Sequence, residues 1–115
     1  MKNHQQSLET LTAIHGVRGA MLATSDDGIV VAESVMEDVD GGALAALAAS
    51  LSRRLEAAAN AASGGRTGFL HLQATGGALL VCPAGQDLLL VVIAERGVNV
   101  GRARLEMGRV AEVLA

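Results

Sequence analysis

The chain has 115 residues and a net charge of −3, from 9 basic and 12 acidic side chains; half of it is apolar, yet Phe69 is the only aromatic residue. That length predicts one domain over residues 1–115. There is no Lys/Arg run beyond Arg53-Arg54 and no Tyr or Trp for base stacking, which excludes nucleic-acid binding, and the longest strongly apolar run, Leu88 to Ala94, is too short to insert into a membrane.

The opening MKNHQQSLET is polar and lacks the apolar core of a signal peptide, and the single cysteine, Cys82, has no internal partner. Both predict a cytoplasmic, reducing location. A first helix is expected from Asn3 to Ala13, with Leu8 and Leu11 at helical spacing and Gly16 ending it. Residues Val17 to Thr24 then alternate as a strand, Ser25-Asp26-Asp27-Gly28 turns, and Ile29 to Glu33 returns. Asp bonds its own backbone and Gly supplies positive φ, so this is a β-hairpin.

Residues Asp40 to Ser63 form an alanine-rich helix with Asp38 or Asp40 as its N-cap and Gly64-Gly65 as its stop. On a wheel of about 100° per residue, Leu44, Leu47, Leu51, Leu55, Ala58 and Ala62 fall within roughly 60° of one line. That leucine stripe is expected to cover a sheet. The small residues on the remaining faces are expected to let another molecule approach closely, so the helix reads as covered twice. Thr67 to Ala74 reads as a third strand, Ala78 to Pro83 as a fourth and Asp87 to Glu95 as a fifth. The fifth is apolar on both faces, which places it in the sheet centre. A closing helix runs from Val100 to Leu114, with Val100, Ala103, Met107, Val110, Ala111 and Leu114 on one face and Leu105 pointing away.

The order α-β-β-α-β-β-β-α predicts an α+β fold: a single antiparallel five-stranded sheet between one long helix and two terminal helices. With the fifth strand central, the meander puts the third at an edge. A free edge invites strand pairing.

No catalytic set emerges. There is no P-loop, and Gly97-Val98-Asn99-Val100-Gly101 lacks a full dinucleotide fingerprint. His4, His15 and His71 are not at metal-ligand spacing, so no metal or other cofactor is expected. Cys82 in its apolar strand reads as an inert buried thiol. Asp26-Asp27 and Asp38-Asp40 read as turn and cap residues.

Four segments together resemble the roadblock/dynein light-chain family: the hairpin HGVRGAMLATSDDGIVVAES, the small-residue helix LAALAASLSRRLEAAA, the meander GALLVCPAGQDLLLVVI and the lead-in NVGRARLE. The resemblance covers roughly residues 8 to 114. It implies a profilin-like roadblock fold and a non-catalytic scaffold. It also implies a homodimer, or a heterodimer with a paralogue, in which long helices pair and third strands join. Prokaryotic members of this kind regulate small Ras-like GTPases, docking on them through the paired helices. On this basis the expected dimer seam is Ala45, Ala48, Ser52 and Ala59 with Phe69, Leu70 and His71. The expected partner face is Gly42, Ala46, Ala49 and Arg53. Two other functions compete with GTPase regulation: a structural adaptor subunit in a larger assembly, and a small-molecule-binding profilin-like sensor, which the lack of convergent polar residues disfavours.

Overall fold

The computed structural model describes residues 4–66 and 68–114. Its elements are α1 (His4–Thr12), β1 (Val17–Thr24), β2 (Val30–Val35), α2 (Gly41–Ala61), β3 (Leu70–Ala74), β4 (Gly77–Ala84), β5 (Leu88–Ala94) and α3 (Val100–Leu114). Asn3 and Thr67, expected at the starts of the first helix and third strand, lie outside the described residues. The strands form one antiparallel sheet in the order β2-β1-β5-β4-β3. As its apolarity on both faces requires, β5 is central, and β3 is an edge.

Alternate residues of the inner strands feed two separate cores. Ala20, Leu22, Leu80, Cys82, Leu90 and Val92 meet Leu8, Leu11 and Ile14 from the α1 region and Ala103, Met107, Val110 and Leu114 from α3. Met21, Ala23, Leu79, Val81, Leu89 and Val91 meet α2 on the opposite face.

The hairpin turn forms as its residues dictate. Gly28 adopts φ +67, its N–H donates to the Thr24 carbonyl at 2.9 Å, and the Ile29 N–H donates to Thr24 Oγ1 at 3.0 Å. These bonds close the turn through Ile29, so β2 begins at Val30. Of the two candidate caps for α2, Asp40 is the one used: its Oδ1 accepts the Ala43 N–H at 3.0 Å. Asp38 pairs with Arg18 instead. At the other end the Gly64 N–H donates to the Ala59 carbonyl at 2.6 Å, with Ser63 and Gly65 at positive φ. Asn99 caps α3, its side chain accepting the Arg102 N–H at 3.0 Å.

The rotation of α2 overturns the sequence expectation. The line facing the sheet is Gly41, Ala45, Ala48 and Ala49, all buried, and the leucine stripe lies on a flank about a quarter turn away. Leu44 and Leu51 only edge the core beneath α2, Leu55 is half-buried, and Leu47 is 51% exposed. The cause is close approach. A Cβ on Gly28 would come within 2.6 Å of the Ala46 Cα. A helix drawn this near has room beneath it for Gly and Ala and none for Leu.

Candidate protein-binding surface

The tilt of α2 is fixed from one side. The β1–β2 turn packs at Gly28 against the helix backbone at Ala45 and Ala46, and Arg53 donates a hydrogen bond to the Asp26 carbonyl. Leu55 stands about 180° round the helix from Ala46. The leucine flank therefore faces away from the hairpin, toward β4 and β3. There Leu44 and Leu51 join Leu70, Leu79 and Ile93 around the core under α2. Leu72, on the same side of β3 as Leu70, is 41% exposed. Leu47 and Leu51 thus form an apolar strip on the helix, and Leu70 and Leu72 line the same face of the sheet on a strand that, among the described residues, pairs only with β4.

The residues named from sequence scatter around this strip. Ala45 and Ala48 are fully buried against their own sheet and Ala49 is 1% exposed, so none has surface to offer another molecule. This corrects two assignments to the dimer seam and one to the partner face. Ser52 and Ala59 are half-buried on the sheet-facing side. Leu70 borders the apolar strip and His71 is exposed. Phe69 belongs to the opposite layer, half-buried with the Arg104 guanidinium 4.7 Å from its ring centroid. Gly42, Ala46 and Arg53 are exposed together on the hairpin-side flank.

Sequence reasoning missed Leu44, Leu47, Leu51, Leu55 and Leu72 as surface candidates. A signal was available. Gly41, Ala45, Ala48 and Ser52 repeat at helical spacing as small residues only, and a line of small residues marks backbone contact as well as a line of leucines marks burial.

The chemistry of the site is that of contact. Cys82 is buried, and burial pushes its thiol from an ordinary 9.0 up to about 11, away from nucleophilic use. Among the described residues no group of three His, Cys, Asp or Glu side chains is placed to hold a metal ion, and no helix is long and apolar enough to cross a membrane. A cleft of about 540 Å³ opens where the sheet-facing line of α2 turns polar at Ser52; Ser25, Arg53, Arg66, Gln86 and Asp87 also line it.

One antiparallel five-stranded sheet, a long helix on one face and two helices on the other define a three-layer α+β fold. The chain belongs to the Roadblock/LC7 domain family, which matches residues 4–94. Its members are regulatory and adaptor proteins, generally without enzymatic activity. Solved structures share the fold. The gliding protein MglB from Thermus thermophilus is 26% identical, with 96% of this chain and 84% of that one aligned at a TM-score of 0.84. A Roadblock/LC7 domain from Streptomyces avermitilis is 22% identical over 94% of this chain and 91% of that one, at 0.86. Myxococcus xanthus MglB is 18% identical over 96% and 90%, also at 0.86. Among curated proteins none matches the chain by sequence.

Proposed function

We propose that this chain is a dimeric, non-catalytic scaffold that binds and regulates a small Ras-like GTPase. The observation that carries the reading is the apolar strip of α2 lying beside the free edge of β3. One two-fold contact satisfies both: the leucine flanks of two α2 helices pack together while two β3 strands pair edge to edge. The strand LHLQA carries no Asp, Glu, Lys or Arg, so two copies meet without charge repulsion. A solved structure described as MglB with tetrameric arrangement, 28% identical over 96% of this chain, gives self-assembly a precedent. The seam is Leu47, Leu51 and Leu55 with Leu70, His71 and Leu72. The GTPase face is the outward surface of the paired helices, including Gly42, Ala46 and Arg53. The resemblance to prokaryotic GTPase regulators supports that choice of partner.

Light scattering is expected to show a dimer at micromolar concentration and a monomer for Leu47→Glu combined with Leu72→Glu. A monomeric wild type would remove the seam. For the partner, the Ras-like GTPase recovered from native extract is assayed with and without the chain. Binding with a changed GTP hydrolysis or exchange rate is expected; binding without a change leaves the adaptor role, and no binding ends the GTPase reading. Ala46→Glu should weaken GTPase binding and leave the dimer intact.

A further inference from the structure

The sheet has a second free edge, and its chemistry is opposite to that of β3. The Met36 N–H donates to the Arg18 carbonyl at 3.1 Å, which fixes the phase of the β1–β2 ladder. Antiparallel pairing alternates, so Ser34 (opposite Ala20) and Ala32 (opposite Leu22) turn their backbone groups toward β1. The other side of β1 keeps the same phase, its odd-numbered residues facing β5, as the Ser25 N–H to Asp87 carbonyl bond at 2.8 Å shows. Glu33 and Val35 therefore present their N–H and C=O groups outward, where the sheet has no further strand among the described residues. Three of the seven large apolar side chains exposed among the described residues lie along this edge: Ile29, Val31 and Met36 at 60%, 48% and 54%.

Charge decides what fits there. Six of the chain's 12 acidic residues fall between positions 26 and 40, and no Lys or Arg occurs from position 19 to 52. Asp26 and Asp27 stand exposed just before β2, Glu33 on it, and Glu37, Asp38 and Asp40 just after it. A second copy paired at this edge would set these carboxylates against their equivalents, which the neutral β3 edge avoids. We propose that the β2 edge docks an extended segment of a partner protein, about six residues of alternating apolar character flanked at both ends by Lys or Arg. The backbone groups of Glu33 and Val35 extend the sheet onto the segment, Val31 and Met36 cover its apolar side chains, and the two acidic ends fix its register. A six-residue strand spans about 20 Å, which sets the separation of the basic ends.

The probe is the peptide Lys-Arg-Thr-Val-Thr-Val-Thr-Val-Lys-Arg, with a control in which Glu replaces every Lys and Arg. Amide hydrogen exchange and nitrogen-15 NMR are read on the whole protein. The basic peptide is expected to slow exchange at Glu33 and Val35, to bind more weakly as salt rises, and to outcompete the acidic control. Asp27→Lys with Glu37→Lys is expected to lower its affinity about tenfold and to raise that of the control. Unchanged exchange along α2 in that variant shows the fold intact. Equal binding of the two peptides, or no slowing at Glu33 and Val35, would show that the acids only keep the edge unpaired and would overturn the proposal. Slowing at those amides that grows with protein concentration and no peptide would overturn it in favour of a second copy.

Discussion

The two faces of the sheet are covered by opposite strategies. The α1/α3 side is filled with large side chains: Leu8, Leu11, Leu22, Leu80, Leu90 and Met107 are almost wholly buried there. The α2 side is closed by approach, with Ala45, Ala48 and Ala49 laid on the sheet. The first yields a thick core and uses up its helices' apolar faces. The second leaves the leucines of its helix over. Small residues underneath are the reason large ones are free on the flank, and that flank is what a partner copy can use.

This contrast can be broken by mutation. Met107→Ala empties volume in the thick layer and should cost about 2–5 kcal/mol in chemical denaturation. Cys82 lies in that same layer, and its raised thiol gives a pH signature. The folded state holds the proton while the unfolded chain loses it, so this stabilisation is fully present below the ordinary 9.0 and is lost as pH rises toward about 11. The loss approaches about 2–3 kcal/mol and should be missing from the pH–stability curve of Cys82→Ala.

In the thin layer the risk is overfilling. Ala48→Leu should destabilise by about 1–3 kcal/mol, because the helix must lift off the sheet. If Ala48→Leu is neutral, α2 does not lie as close as the Gly28 contact requires. Asp40→Ala removes the cap of the same helix and should cost about 1 kcal/mol. Leu47→Ala, on the free flank, should change the stability of the monomer by less than about 1 kcal/mol. Its effect belongs in the dimer dissociation constant.

Much of the fold was legible in the residues. The Asp-Gly turn, the central position of the doubly apolar β5 and the edge position of β3 each follow from local chemistry or from burial on two faces, and the α2 cap was narrowed to Asp38 or Asp40, of which the structure uses Asp40. Cys82 reads as buried from the LLVCP run alone. The surface was less legible. Phe69 was grouped with Leu70 and His71 as neighbours in sequence, but it packs into the α1/α3 layer, where Arg104 holds it. The stacking partner lies 35 positions further along the chain, and nothing local announces it.

The sequence by itself determined the order of the elements, their ends and the pairing of the strands, because turns, caps and burial patterns act over a few residues. It also fixed the angles between residues on α2, since periodicity sets them. Only the tertiary structure decided which line of α2 meets the sheet. Periodicity gives every stripe but no zero of rotation. That zero comes from how near the helix can come, which Gly28 and Gly41 allow, the first of them from the distant hairpin. Close contact through glycine and alanine overrode the expectation that the largest apolar residues turn inward, and in doing so it left Leu47 exposed and Leu44, Leu51 and Leu55 only part-buried on the flank.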